Sequence, residues 1–464
     1  MRNLFCISSI LLLATQCCFG QGFNVNPVVG IHAFNPGSVT RSVYDAANDI
    51  VYVTGTYDAA TNPPDFDPDP FNVETLTAYG PAGTTDIYLA TYHQDGTFLK
   101  VIGVGGDGND FPLAIDYDAS GNVYLGGSFN SSIIDLDPDV PTQSLANSGG
   151  FDGFMVVFDP LGNYLQSSGA NTTGSDAVRG LKIDQFGDLV VTGNINGNMF
   201  CERYAGGDIS QLPAFSFSIP GADGRELLLD SNDDIIVCGV HTGTVDFDPG
   251  LGVAFASTIA LRDFYIAYYN AFDGSLIDLV TFGGQGDELV RRVAIGPSDE
   301  IYFTGQFDMA FDADPLGGTT LTPVGDYDVF VSKFNNDLTL AWAHSFGGSL
   351  YDNINGLVVN DFGDAFVAGL FQGNVDFDPG PSNYNILSTN EDAFLMKFNT
   401  DGTFGSVIGL GNSGYDEIEA LVKIDNSVTL SFAGFATLNA ELDPNCAIVT
   451  LDEYGYGWLG YQDV

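Results

Sequence analysis

The sequence predicts an all-β fold assembled from seven copies of one four-strand unit. Three observations carry that expectation. A short phrase, an aromatic or aliphatic residue followed two or three positions later by Gly, recurs seven times along the chain. Asp outnumbers Glu 50 to 10, and Gly reaches 58 of 464 residues, a composition suited to turns rather than helices. Apolar residues alternate at period two between clusters of Asp, Asn and Gly, which is the pattern of half-buried strands.

The phrase reads Tyr52-Val-Thr-Gly55, Tyr124-Leu-Gly-Gly127, Val190-Val-Thr-Gly193, Ile236-Val-Cys-Gly239, Tyr302-Phe-Thr-Gly305, Phe366-Val-Ala-Gly369 and, less regularly, Phe432-Ala-Gly434. The glycines are spaced 72, 66, 46, 66, 64 and 65 residues apart. Each copy has the same order. An acid precedes a first apolar run, as Asp352 precedes Gly356–Val359. A turn such as Asp361-Phe-Gly-Asp364 leads to the aromatic-to-Gly strand. A third strand opens on Asp (Asp86, Asp263, Asp328, Asp392), and an Asp-Gly turn leads to the last. Four antiparallel strands repeated seven times describe a seven-bladed β-propeller. It is expected to occupy residues 21–464 as a single domain.

The third spacing, 46, fits a plain four-stranded blade. Most other copies carry about twenty more residues, placed between the second and third strands. The third copy should therefore lack the insert. Val28–Phe34 resembles a last strand, like Leu340–Phe346, and is expected to close the ring by joining the seventh blade near Gly457–Tyr461, hiding strand edges that would otherwise template aggregation.

The phrase Asp-x-x-Gly-Asn-x-Tyr-x-x-Gly at Asp118–Gly127, with looser copies at Asp361–Gly369 and Asp299–Gly305, resembles the repeat of secreted bacterial seven-bladed β-propeller repeat proteins. The resemblance spans nearly all of the chain after the N-terminal segment. It implies a fold and a bacterial, extracellular setting, and no particular activity. The third and seventh copies depart from the pattern.

Residues 1–20 read as a secretory signal: Arg2 is the positive end, Ile7–Ala14 the apolar core, and Cys18-Phe19-Gly20 supplies small residues before Gln21. Cys17 and Cys18 leave a lipoprotein as the alternative. The apolar run is too short to span a bilayer. The protein is expected to be secreted or held at the cell surface, without a membrane span, and monomeric.

The formal net charge is -47, with only 13 Lys and Arg. So few cations exclude a nucleic-acid binder, which must neutralise phosphates. With 45% hydrophobic residues the chain is too apolar for disorder. Cys201, Cys238 and Cys446 are distant from one another and read as buried apolar residues rather than a disulfide or zinc framework.

The inserts have their own signature, Asp-x-Asp-Pro. It occurs at Asp65 and Asp67, Asp135 and Asp137, Asp246 and Asp248, Asp312 and Asp314, and Asp376 and Asp378, with a relative at Glu441-Leu-Asp443-Pro444. Pro holds the preceding residue extended, so the two carboxylates share one side and the residue between them points into the blade. Two readings follow. The pairs ligate Ca²⁺, a cation that prefers several oxygens, or they cap backbone N–H groups as Asx-type turns. Topology puts the inserts on the same face as the acids before the first strands, Asp110, Asp176, Asp287, Asp352 and Asp416.

Catalytic signatures are sparse. His32, His93, His241 and His344 show no metal-like spacing, and His241 is expected at a strand end on the insert face. Trp342 and Trp458 occupy matching last-strand positions and read as packing residues. The function expected is a non-catalytic propeller that binds a protein or glycan on its acidic loop face, with Ca²⁺ as the cofactor to test. The alternatives are a Ca²⁺-dependent hydrolase or lyase acting on phosphate esters or polysaccharide, and a purely structural surface protein.

Overall fold

A computed structural model describes residues 23–25, 29–31, 38–58, 64–67, 69, 71–94, 96–137, 139, 143–411, 414–423, 430–436 and 455–463; for 23–25, 29–31 and everything after 423 it describes the backbone. The fold is all-β. Among the described residues the single helical element is a 3₁₀ turn at Ala205–Gly207.

Among the described residues the strands group into seven antiparallel sheets of four to six strands and one two-stranded hairpin. Each sheet begins with a first strand: Ser38–Asp45, Asp110–Tyr117, Ala177–Ile183, Ala222–Leu229, Leu289–Ile295, Asn353–Val359 and Glu417–Lys423. Each first strand contacts the first strands of the sheets before and after it, and the seventh contacts the first, so the contacts close into a ring.

All seven first strands carry a β-bulge at one register position. The ladder to the second strand skips Thr40, Leu113, Arg179, Arg225, Arg291, Asn355 and Glu419. A bulge bends the strand and sharpens its twist. The recurrent glycine of the sequence phrase sits opposite the residue before each bulge, as Val39 faces Gly55, Val178 faces Gly193 and Ile418 faces Gly434. A Cβ at Gly55 would lie 1.7 Å from the Ser38 carbonyl oxygen, and one at Gly193 2.0 Å from that of Ala177. Backbone cannot yield as a flexible side chain can, so the close approach admits Gly alone.

The third copy turns from Leu189–Ile195 into Asn198–Tyr204 through Asn196 and Gly197, with φ of 51° and 78°. Two positive φ values make this a type I′ hairpin, whose twist matches the strands it joins. The insert is absent there, as the spacing predicts. The first insert has no strand among its described residues and is tied by the Phe66 amide to the Glu74 carbonyl; in the second, fourth and fifth copies the insert is a β-hairpin. Ile133–Asp135 pairs with Ser144–Ala146, and Thr244–Asp246 with Phe255–Ser257. In the sixth sheet Ala365–Asp376 and Asn385–Phe398 run on into the insert. Two hairpins also bond to the preceding sheet, Gly105 opposite Asp135 and Gly283 opposite Asp312.

Closure occurs at the seventh sheet. Val29–Ile31 pairs with Gly455–Asp463, Val29 opposite Trp458, and Phe23–Val25 pairs with the same strand. The N-terminal strands thus take the outermost place. Trp458 therefore lies on a third strand, beside Leu430–Ala436, and does not match Trp342, which is on the fourth strand of its sheet. The position expected for Trp458 is corrected on that ground. Residues 1–20, His32, Cys446 and Glu441–Pro444 lie outside the described residues.

Candidate functional site: the insert face and the axial cavity

The five Asp-x-Asp pairs share one geometry. In each, the first carboxylate accepts the amide of the second Asp: Asp67 to Asp65, Asp137 to Asp135, Asp248 to Asp246, Asp314 to Asp312 and Asp378 to Asp376, at 3.1–3.2 Å. The second carboxylate then accepts an amide two residues on, from Asp69, Asp139, Gly250, Leu316 and Gly380. These are consecutive Asx turns. Four of the first carboxylates also reach across the hairpin, to the amides of Glu74, Ala254, Thr319 and Tyr384. Amide donors offset much of the carboxylate repulsion. Asp135 is raised by burial. Asp312, although desolvated, is held below its usual range by the amides of Gly318, Asp314 and Thr319. No cluster of three or more His, Cys, Asp or Glu placed to hold a metal occurs among the described residues.

The residue between the two carboxylates is a peg. Phe66, Leu136, Phe247, Ala313 and Phe377 are all buried. Phe377 packs against Phe346, Phe371 and Phe394. Where the peg shrinks to Ala313, Phe311 fills the space against Phe264, Phe307 and Phe330. The insert face is therefore anchored, while its rim is wet and partly apolar. Phe71, Leu251 and Leu316 are 82%, 107% and 82% exposed, and Val73, Val253, Phe255, Tyr384 and Leu387 join them on the inserts.

Below the inserts runs a seam of paired acids between adjacent sheets. The third strands start at Asp86, Asp152, Asp263 and Asp328, and Asp392 holds the same place within Asn385–Phe398. The next first strands start beside them, and the amides of Asp110, Asp176, Asp352 and Asp416 donate to the carbonyls of Thr85, Phe151, Tyr327 and Glu391. This places first-strand starts and inserts on one face, as topology predicts. In the fifth sheet the buried seam acid is Glu288. Asp287, the residue expected there, instead holds Arg262 through two hydrogen bonds of 2.6 Å. The bulge explains the shift: Asp110, Asp176, Glu288, Asp352 and Asp416 all stand three residues before it. Burial pushes Asp86, Asp352 and Glu288 up to about 7, and Asp110 and Asp392 up to about 6. The partner acid across the seam adds to this for Asp86, Asp352, Glu288 and Asp392.

His241 ends the strand Ile235–His241 and is buried edge-on to Phe247, with neither ring nitrogen hydrogen-bonded. Burial pushes it down to about 4, so it is a neutral core residue. His344 stacks with Trp342 and Phe398. Cys201 and Cys238 are buried free thiols.

Inside the ring of first strands lies a cavity of about 360 Å³, lined by residues from all seven. Seven of the chain's thirteen cations sit on those strands: Arg41, Arg179, Lys182, Arg225, Arg291, Arg292 and Lys423. Arg41 bonds Glu226 at 2.7 Å, and Arg292 lies 3.8 Å from the same carboxylate. Arg225 bonds Asp223 at 2.9 Å, and Arg179 lies 3.7 Å from it. Arg291 bonds the neutral Gln306. Sequence reading passed over this cluster, although a signal was present. Arg179, Arg225 and Arg291 are spaced 46 and 66 residues apart, as are Gly193, Gly239 and Gly305, so they occupy one repeat position in three successive copies.

No protein-family profile matches the chain, and no curated protein does. Among solved structures it is similar to a protein of unknown function from Dyadobacter fermentans, at 10% identity over 95% of this chain and 100% of that one, TM-score 0.44. It is also similar to the Pan2 WD40 domain of Neurospora crassa, at 8% identity over 96% and 97%, TM-score 0.45. A third is the quinohemoprotein alcohol dehydrogenase of Comamonas testosteroni, at 8% over 94% and 76%, TM-score 0.45. Likeness at this level leaves the architecture to rest on the chain's own strand pairing.

Proposed function

We propose that the chain is a secreted seven-bladed β-propeller that binds a protein partner through the face carrying the acidic inserts. The ring of first-strand contacts supports the architecture. The apolar residues held out on the inserts carry the binding reading. Turns on the opposite face expose single residues, such as Leu161, Phe186, Phe272 and Phe362, whereas the fourth insert alone presents Leu251, Val253 and Phe255. Exposed apolar side chains rimmed by charge mark interaction surfaces, and the net charge of -47 selects a basic partner. Calcium bound at the inserts would meet two carboxylates per loop that are already shared with amides, so its affinity belongs in the weak extracellular range of ~10⁻⁴–10⁻³ M.

The test replaces the fourth insert, residues 244–257, with the Asn-Gly turn of the third copy. Both proteins are immobilised and exposed to the extracellular fraction of the source cells. Salt-sensitive retention of a basic protein by wild type and its loss in the variant is expected. Equal retention by both, or retention of glycan alone, would refute the reading.

A further inference from the structure

Two of the axial arginines differ from the cations outside the ring. Outside it, Arg203, Lys333 and Lys397 each sit within 3.0–3.1 Å of a carboxylate or closer. In the cavity wall, Arg179 Nε is buried without a hydrogen bond, and its nearest carboxylate oxygen, Asp223 Oδ1 at 3.7 Å, lacks one too. Arg292 donates only to the carbonyls of Arg291 and Thr40, at 2.8 and 3.4 Å. Four guanidiniums thus share two carboxylates, Asp223 and Glu226. Of the acids opposite, Glu417 is held by Asn355 and Tyr415. Glu419 accepts the Val39 amide, and burial raises it well above the usual carboxyl range. Burial, followed by the neighbouring Arg41, lowers Arg292 to about 9. Asp116 and Glu226 also line the cavity, yet Arg179 and Arg292 stand in its wall 3.7 and 3.8 Å from their nearest carboxylate oxygens, beyond hydrogen-bond contact.

The cavity wall is two-sided. Beside the guanidiniums stand Leu181, Leu227, Val293, Leu357 and Leu421. A volume of about 360 Å³ falls in the range of small-molecule sites. We propose that the axial cavity binds a small organic monocarboxylate, its carboxylate on Arg179 and Arg292 and its apolar body against these aliphatic side chains. Guanidinium forks match carboxylate geometry in pairs of parallel hydrogen bonds. The acidic exterior repels a dianion about twice as strongly as a monoanion, which favours a carboxylate over a phosphate.

The experiment is calorimetric titration of the full chain with benzoate, inorganic phosphate and chloride at matched ionic strength, on wild type, Arg179→Gln and Arg262→Gln. Saturable benzoate binding is expected, weakened at least tenfold in Arg179→Gln and unchanged in Arg262→Gln, whose side chain lies outside the cavity. Equal responses to all three anions would mean screening and overturn the proposal. So would phosphate binding without benzoate, no binding at all, or benzoate binding unaffected by Arg179→Gln. If Arg179→Gln does not fold, Lys182→Gln at the same wall takes its place, with at least a threefold weakening expected and an unchanged affinity counting against the site.

Discussion

Aspartate does two opposite jobs in two regions of this molecule. In the exposed turns, carboxylates accept local donors while remaining in water. Asp107, Asp273, Asp337 and Asp401 fall below the usual carboxyl range because Ser132, Ser275, Thr339 and Thr403 donate hydroxyl and amide hydrogens to them. In the seam between sheets, Asp86, Asp110, Asp352, Asp392 and Glu288 also accept hydrogen bonds or lie beside backbone, yet burial pushes all five upward. Residue type alone does not set the sign. The turn carboxylate keeps its hydration and gains donors; the seam carboxylate loses hydration next to a second acid.

The largest expected effect of that difference is on stability against pH. A seam carboxyl whose folded pKa is raised binds more protons folded than unfolded between about pH 4 and pH 7. Its stabilising contribution is therefore full below the unfolded value and is lost as pH rises through the folded one. Each such group contributes a slope of up to about 1.4 kcal/mol per pH unit in that window. Turn carboxylates with lowered pKa act the other way, losing stability as pH falls below about 4. Urea midpoints should thus peak near pH 5 and decline toward pH 8. A midpoint rising from pH 5 to pH 8 would show that the seam acids are not protonated in the folded state.

Asp352 sharpens the comparison at one residue. It accepts the amides of Gly348 at 2.7 Å and Gln372 at 3.0 Å and is buried. Asp352→Ala strands two buried donors and should cost about 2–4 kcal/mol. Asp352→Asn keeps an acceptor and should flatten the decline above pH 5 with a smaller loss. Denaturant titration at pH 5 and 8 measures both. An Asn variant with an unchanged pH slope would remove Asp352 from the seam account.

The turn counterpart is smaller. Asp118 accepts the amides of Ser120 and Asn122 and the Asn122 side-chain amide, at 2.8–2.9 Å. Asp118→Ala should cost about 1 kcal/mol, since its donors turn to water, read as a shift of the urea midpoint. A loss as large as that of Asp352→Ala would erase the distinction from the seam.

The smallest expected effect is that of calcium. Melting in chelator, Ca²⁺ and Mg²⁺ at matched ionic strength should show a rise of at most a few degrees, larger with Ca²⁺. It should shrink in Asp376→Asn/Asp378→Asn. Equal rises with both cations, unchanged in the double variant, would assign the pairs to turn formation alone.

Much of the fold was legible in the chain because its information is periodic. The strand order, the missing third insert, the pegs of Asp-x-Asp-Pro and the N-terminal strand on the last sheet all follow from comparing copies, since each copy solves the same local packing problem. The recurrent Gly was legible as a marker but not as a cause. The first-strand bulge that forbids a Cβ at Gly55 or Gly193 is visible only when two strands lie together. The Asx turns were one of two open readings, because i and i+2 carboxylates look alike whether they wait for a cation or for an amide.

The sequence by itself determined the elements and their order, through alternation and turn residues, which act locally, and through the repetition of one unit along the chain. The tertiary structure decided which charges meet. It set Glu288 rather than Asp287 into the fifth seam and left Asp287 to Arg262. It also gathered Arg41, Arg179 and Arg292 from sheets one, three and five, 251 residues apart at their widest, around one cavity. Burial and charge proximity are properties of the closed ring, and no single repeat contains them.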